Sequence, residues 1–252
     1  MKATTVQRSY LSLCYAFLYL PIIVLIYYSF LDNHHHDTFT LEWYSALWQD
    51  PNLLSVTLNS LIVAVTASTA ATILGTFAAI VLMRYRFAGR KVLNGTLFSL
   101  IILPDLVLGI SLLLLVHMLG IPLGFLTLAI GHITLCLPFV AITINSRLVD
   151  IDPRLFEAAR DLGASEMTVL WRVLLPQIIS SLIAAWLMSF TLSMDDVIIS
   201  FFVTGPSFQV LPLYIYSLVR LGITPEINAL CSIIFFATLL LILGAQWGIR
   251  KK

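Results

Sequence analysis

The chain has 252 residues, of which 60% are hydrophobic and 11% charged, with a formal net charge of +1 and a mean hydropathy of +0.98. Soluble domains are about 45–50% apolar and about 25% charged, so this composition excludes an ordinary soluble enzyme, and no nucleic-acid partner is expected. A bilayer accepts so much apolar surface directly. The composition therefore predicts a membrane protein.

Six stretches approach the ~20 apolar residues that a helix needs to cross the hydrocarbon core. They cover residues 10–30, 58–83, 97–119, 127–144, 179–203 and 227–249. Their length and their Leu, Ala and Gly content favour helices over the ~10-residue alternating strands of a barrel. In the second stretch, small residues at three- and four-residue spacing predict a face for close helix packing. The predicted fold is therefore all-α, a single domain of residues 1–252 with six transmembrane helices.

The distribution of basic residues predicts the orientation of these spans. With the N-terminus in the cytoplasm, thirteen of the fourteen Lys and Arg lie in cytoplasmic segments and only Arg220 lies outside, as the positive-inside rule requires. One span more or fewer would destroy this segregation. Both termini are therefore predicted to be cytoplasmic. The first stretch lacks a small-x-small cleavage site, which favours an uncleaved span over a signal peptide.

No metal site is predicted. The residues His34 to His36 lie in the outer loop between the first two spans, where adjacent histidines are more often solvated than ligands. Cys14, Cys136 and Cys231 fall in separate spans without a CxxC pair. We interpret them as small buried apolar residues.

The cytoplasmic segment 147–176, between the fourth and fifth spans, has the signals of a helical hairpin. Asp152 can cap a first helix that Gly163 ends. Ser165 can cap a second helix with one apolar stripe, which Pro176 ends before the next span. The stripe consists of Met167, Leu170, Trp171 and Leu174. Such a hairpin either docks into a partner or rests on the lipid surface or its own bundle, and these physical arguments leave both open.

Three acidic residues, Asp105, Asp195 and Asp196, fall inside predicted spans. A charged group at mid-span costs ~2.5–3.5 kcal/mol, so such residues usually mark a pathway or a buried pair. No Lys or Arg of the chain falls inside a span to neutralise them, which suits a cationic cargo. The alternative is that they pair with Arg of a partner subunit or lie at a membrane interface.

The fifth span also carries a predicted polar stripe. Its members, at spacings of 4, 3 and 4 along one helix face, are Ser189, Ser193, Asp196 and Ser200. A rise of ~1.5 Å per residue puts Asp196 near the outer end of its span and Asp105 near the inner end of its own. We therefore expect Asp196 and Ser193 to line a route, with one acid near each end.

The hairpin segment resembles a known motif. Glu157-Ala158-Ala159, then Gly163, then residues 173–176 (VLLP) resemble the EAA loop of ABC-importer permeases, with Val173 in place of Ile as the departure. The resemblance implies the type I importer fold, in which this loop is a coupling helix against an ATPase. It implies an ATPase interface that contains Glu157, Ala158, Ala159, Gly163, Met167, Leu170 and Trp171. Because the chain has no GxxxxGK[ST], ATP and Mg are expected on a separate ATPase subunit, with no cofactor and no enzymatic activity here.

Residues 189–196 (SFTLSMDD), 202–206 (FVTGP) and 225–230 (PEINAL) resemble the spermidine/putrescine branch of this family. The outer loop and the C-terminal tail diverge from it. The branch implies polyamine import across a bacterial inner membrane, with a second homologous permease, two ATPase copies and a periplasmic polyamine-binding protein as partners. Carboxylates and aromatic faces bind ammonium groups, so the candidate pathway residues are Asp196, Asp195, Ser193, Asp105, Trp186 and Phe190.

Two alternatives stay open. The EAA loop says nothing about cargo, so an ABC importer of another small cationic solute fits the same pattern. A cation channel or secondary transporter with a purely structural hairpin is the alternative from another class. Co-purification with an ATPase would separate that class from both importers.

Overall fold

A computed structural model of the chain describes residues 5–32, 38–222 and 225–250. The three histidines of the outer loop, His34 to His36, lie outside these residues. The described residues are mostly helical, and their one β-feature is an isolated antiparallel bridge between Leu31 and Phe39. The chain divides into two compact units, one formed by Val56–Tyr214 and the other by Met1–Ser55 with Ile215–Lys252.

The helices are numbered in chain order. They are α1 (Thr5–Tyr28), α2 (Glu42–Gln49), α3 (Pro51–Arg84), α4 (Arg90–Ile102), α5 (Asp105–Met118), α6 (Phe125–Val149), α7 (Arg154–Asp161), α8 (Glu166–Thr168), α9 (Leu175–Asp195), α10 (Ile198–Val203), α11 (Leu211–Leu221) and α12 (Pro225–Arg250). A π-helical segment, Val169–Leu174, joins α8 to α9 in one helical run.

Among the described residues, four helical runs are long and apolar enough to cross a membrane. They are Ser9–Tyr28, Pro51–Arg84, Phe125–Val149 and Glu166–Asp195. The pair α4 and α5 adds a fifth span if its bend is counted within one crossing. In α12 the apolar stretch with described side chains, Pro225–Leu240, is shorter than a full span. The fold is thus a helical membrane protein with four or five spans by length and composition, and the sixth span stays a prediction.

The third predicted span is not one straight helix. The axes of α4 and α5 differ by 116° across a break at Leu103 and Pro104. Proline has no amide hydrogen to donate, and it disfavours the helical conformation of the residue before it. The depth estimate for Asp105 assumed a straight helix and is therefore wrong, because Asp105 is the first residue of α5 after the bend.

The fifth predicted span is also interrupted. The helical run ends at Asp195, and the backbone of Asp196 is extended (φ −68°, ψ 119°) before α10 begins at Ile198. The polar stripe therefore does not follow one continuous helix, and that part of the prediction is wrong. Aspartate side chains bond nearby backbone amides and so compete with helix continuation.

In the unit Val56–Tyr214, α6 packs against α9 and α10 packs against α5. The small-residue face of α3 is buried, which confirms its predicted packing role. At Gly75 a Cβ atom would lie 2.7 Å from Cγ1 of Val140 and 3.0 Å from the carbonyl oxygen of Leu137. Glycine at this position lets α3 and α6 approach closely.

Two clusters of buried apolar residues hold this unit together. One includes Val140 and Ile144 of α6, and it continues into the hairpin segment through Phe156, Val169 and Leu174. The other lies between α5, α6 and α10 and contains Leu108, Leu112, Leu128, Ile199 and Val203. The hairpin is thus anchored to the bundle by its own apolar side chains.

In the other unit, α12 packs against α1 and α2. The hydroxyl groups of Tyr44 and Ser29 lie 2.7 Å apart. The indole Nε1 of Trp43 donates to the carbonyl oxygen of Leu31 at 2.9 Å. These bonds tie α2 to the end of α1.

Candidate functional site

A buried histidine joins α6 to the break between α9 and α10. Nδ1 of His132 lies 2.6 Å from Oγ of Ser193, and its Nε2 lies 3.0 Å from Oγ of Ser200. Nε2 is also 3.3 Å from Oδ2 of Asp196. The side chains of His132 and Asp196 are only 2% and 5% exposed. Three members of the predicted stripe, Ser193, Asp196 and Ser200, therefore converge on one imidazole.

The Asp196 carboxylate also holds the start of α10. Its Oδ1 accepts from the amide of Ile199 at 3.2 Å, and its Oδ2 accepts from the amide of Ser200 at 2.8 Å. The Ser200 hydroxyl donates to the same Oδ2 at 3.0 Å. With His132 this makes four contacts, three to Oδ2 and one to Oδ1, so Oδ1 keeps an acceptor position. For Asp196 to contact a cargo, as the sequence predicts, the cargo must reach Oδ1 of a side chain that is 5% exposed.

Hydrogen-bond accounting assigns the proton on the imidazole. The Ser200 hydroxyl gives its hydrogen to Asp196, so its oxygen can only accept from His132. Nε2 of His132 therefore carries a proton, and in the neutral ring Nδ1 accepts from the hydroxyl of Ser193. The arrangement is a closed polar network that ties α6, α9 and α10 to one another.

The sequence interpretation missed His132 as a partner because it considered only Lys and Arg. A signal was present, since an ionisable side chain inside a span usually faces a partner or a cavity. His132 lies within the fourth predicted span. The sequence could not show which acid His132 contacts, because its partners are far away in the chain. Ser193 and Ser200, on either side of Asp196, are 61 and 68 positions from it.

Asp195 differs from Asp196 in its exposure and in its partners. It is exposed at the last position of α9, where a carboxylate meets the negative end of the helix dipole. It interacts electrostatically with both Asp196 and Asp105. Within the described residues it forms no ion pair with a basic side chain.

Asp105 is exposed in the first turn of α5, where a carboxylate is favourable. Its electrostatic interaction with Asp195 shows that the two acids lie near each other. The sequence placed Asp196 and Asp105 near opposite ends of the route, and because the depth of Asp105 was taken along a straight helix, that placement no longer follows for Asp105.

The two aromatic candidates lie together on α9. The rings of Trp186 and Phe190 are stacked, with centroids 5.4 Å apart and planes inclined by 15°. The indole Nε1 of Trp186 donates to Oγ1 of Thr69 on α3 at 3.1 Å. Both rings are partly exposed, and the bond to Thr69 gives Trp186 a packing role between two helices.

The predicted caps of the hairpin are present. The amide of Arg154 donates to Oδ1 of Asp152 at 2.9 Å, and Oγ of Ser165 accepts from the amide of Thr168 at 3.3 Å. Gly163 has a φ of +80° and ends α7, a conformation that other residues adopt only at a cost. Asp152, Gly163 and Ser165 thus form the turn that the sequence predicts.

The second half of the hairpin differs from the prediction. Pro176 does not end a short helix, because α8, the π-helical segment and α9 form one run. The wider π turn changes which way the side chains face. Leu174 is fully buried and Leu170 half-buried, whereas Met167 and Trp171 are each 62% exposed. The four residues therefore do not form one stripe.

The remaining coupling candidates lie on α7 and the turn after it. Glu157, Ala158 and Gly163 are exposed, and Ala159 is half-buried beside the apolar cluster of the bundle. Glu166 forms ion pairs with Arg84 of α3 and, at 2.9 Å, with Arg160 of α7. These contacts fix the hairpin while leaving Glu157 and Ala158 open to a partner.

Residues 71–248 match the family described as binding-protein-dependent transport system inner membrane component. The chain belongs to this family. It is therefore a membrane subunit of a transport system and not an enzyme. The family that the sequence indicated is confirmed.

Two known permease proteins are similar to this chain over most of their length. The spermidine/putrescine transport system permease protein PotC of Escherichia coli (strain K12) is 47% identical over 255 residues, which cover 100% of this chain and 97% of that protein. The putrescine transport system permease protein PotI of the same strain is 42% identical over 240 residues, covering 90% and 84%.

A solved bacterial ABC transporter involved in the import of the acidic polysaccharide alginate has a similar fold. One chain of that transporter matches with a TM-score of 0.73 and 16% identity. The match covers 95% of the present chain and 92% of the transporter chain. At this identity the similarity concerns the fold alone.

Proposed function

We propose that this chain is one permease subunit of an ATP-driven importer that carries polyamines into the bacterial cytoplasm. The observation that carries this proposal is the 47% identity to PotC across 100% of the chain. The relatives PotC and PotI are named for spermidine/putrescine and for putrescine. The proposed cargo is accordingly the polyamine class, without a preference between its members.

Asp195 and Asp105 are the proposed cargo contacts. Both are exposed and interact electrostatically with each other, so a cation between them would relieve their repulsion. Asp196 and Ser193 are proposed to hold this geometry, because their polar atoms are already bonded around His132. Trp186 and Phe190 are proposed as an aromatic wall of the route, where ring faces attract ammonium groups.

The hairpin is proposed as the EAA coupling loop. Its exposed residues Glu157, Ala158, Met167 and Trp171 would contact an ATPase that binds ATP and Mg. The further partners proposed are a second homologous permease, a second ATPase copy and a periplasmic polyamine-binding protein. Their presence is inferred from the family resemblance.

The proposed topology has six spans in one permease domain, with both termini in the cytoplasm. It is supported by the positive-inside rule, because this topology would put thirteen of the fourteen basic residues on the cytoplasmic side. The hairpin then lies on the cytoplasmic side, where an ATPase could reach it.

Uptake of radiolabelled putrescine and spermidine tests the proposal in cells that lack this gene and regain it with its neighbours present. Restored, ATP-dependent uptake supports it. Uptake of another small cation alone would favour the alternative importer. Cation flux without a co-purifying ATPase would favour a channel or secondary transporter.

A further inference from the structure

A cleft in the unit Val56–Tyr214 lies where α3 turns into α4. It has a volume of about 860 Å³ and runs between this turn and α6, within the about 300–1,000 Å³ typical of ligand sites. Arg84, at the end of α3, is paired with Glu166 of the hairpin. The cleft is therefore at the hairpin end of the unit, away from the network of His132 and the acids Asp105 and Asp195.

The rim of the cleft is strongly basic. Arg86, Arg90 and Lys91 line it, and no Asp or Glu does. All three are exposed, and none forms an ion pair within the described residues. Arg84 and Arg160 show the contrast, because Glu166 already compensates their charges. The cleft therefore presents three uncompensated positive charges within one turn and its flanks.

The walls of the same cleft are apolar. Phe98 of α4 and Ile142 and Val149 of α6 line it and are exposed in the described structure. A soluble anion would neutralise the rim but leave these apolar walls uncovered. An amphipathic anion, whose headgroup meets the rim and whose acyl chain covers the walls, satisfies both halves.

We propose that this cleft binds one anionic phospholipid of the cytoplasmic leaflet. Arg86, Arg90 and Lys91 hold its phosphate group, and the wall of Phe98, Ile142 and Val149 receives an acyl chain. With the proposed topology, the rim lies at the headgroup level of that leaflet, since it directly follows the apolar helix α3. The site is separate from the proposed cargo contacts and from the proposed ATPase contacts.

The test measures lipid binding to the assembled, purified transporter. After delipidation in detergent, phosphatidylglycerol or phosphatidylcholine is added back, and bound lipid is counted by native mass spectrometry. We expect phosphatidylglycerol to bind at least ~10-fold more tightly than phosphatidylcholine. Each basic residue near an anionic headgroup contributes about fivefold, so the double variant Arg86→Gln/Arg90→Gln should weaken binding by ~25-fold.

A matched control and a second variant keep the result interpretable. Arg147→Gln/Arg172→Gln removes two exposed charges that do not line the cleft and should change binding less than ~2-fold. Ile142→Trp fills the apolar wall without changing charge and should also expel the lipid. Thermal unfolding of each variant checks that it is folded.

Four outcomes would overturn the proposal. The two double variants could weaken binding equally, or phosphatidylcholine could bind as tightly as phosphatidylglycerol. Inorganic phosphate could compete fully, which would make the site one for a soluble anion. Cross-linking of the cleft to the partner permease, with no lipid retained, would show instead that protein covers it.

Discussion

Nε2 of His132 lies 3.3 Å from Oδ2 of Asp196, with both side chains almost fully buried. This contact joins the middle of one membrane helix to the break in another. Removing the Asp196 carboxylate leaves the buried amides of Ile199 and Ser200 without their acceptor, and each unsatisfied buried donor costs about 1–3 kcal/mol. The contact therefore has a structural role that can be separated from transport.

Replacing Asp196 should destabilise the folded protein. Asp196→Ala leaves two buried amides unpaired and should cost about 2–6 kcal/mol, at about 1–3 kcal/mol each, whereas Asp196→Asn keeps one acceptor oxygen and should cost about 1–3 kcal/mol. Thermal unfolding of the purified protein measures both. Asp195→Asn is the matched control, since it removes a charge one position away at an exposed site. Equal stability of the Asp196 and Asp195 variants would contradict the role of the network.

Asp195→Asn should instead impair transport. A hydrogen bond between a carboxylate and an ammonium group contributes about 1.5–3 kcal/mol, so the apparent KM for putrescine should rise ~10–100-fold. Uptake is compared at equal membrane abundance. Asp105→Asn should act in the same direction. Wild-type uptake by both variants, with reduced uptake by a fully stable Asp196→Asn protein, would return the cargo contact to Asp196.

The hairpin turn should be sensitive to backbone conformation. Nothing lies within 4 Å of a Cβ built on Gly163, but its φ is +80°, so Gly163→Ala should cost about 1 kcal/mol through strain alone. Gly163→Val should misplace the turn and reduce co-purification with the ATPase. Membrane insertion should be unchanged in both.

Glu157→Lys should separate assembly from folding. Glu157 is exposed on α7, so a reversed charge should leave thermal stability within about 0.5 kcal/mol of the wild type. Loss of ATPase co-purification and of uptake is expected. Normal uptake and normal co-purification would refute the proposed coupling role of this loop.

Gly75→Ala should loosen the contact between α3 and α6. The new methyl group would lie 2.7 Å from Cγ1 of Val140, and overpacking of this kind costs about 1–3 kcal/mol. Gly95→Ala on α4 is the control, because nothing lies within 4 Å of its Cβ. That substitution should be neutral or stabilise by up to about 1 kcal/mol. The difference in thermal unfolding between the two variants is the measurement.

Several features of this protein depend on residues close together in the chain. These features could be predicted from the amino-acid sequence alone. Apolar stretches of spanning length predict the membrane class, and the caps at Asp152, Gly163 and Ser165 predict the turn of the hairpin. Caps and turns are made by side chains a few residues from the backbone groups that they bond. Family membership also followed from local motifs, and the comparison with known permeases confirmed it.

Other features required the tertiary structure. The sequence indicated that Asp105, Asp195 and Asp196 needed partners. The structure showed that His132 contacts Asp196 and not Asp195. His132 is 68 positions from Ser200, which belongs to the same network. The predicted stripe and depths assumed unbroken helices with 3.6 residues per turn. Two predicted spans are broken, one at Pro104 and one at Asp196. Long-range contacts depend on how the helices pack, and packing is decided by the fit of whole surfaces. The sequence therefore identified the acids, and only the packed helices decided which of them is enclosed and which is exposed.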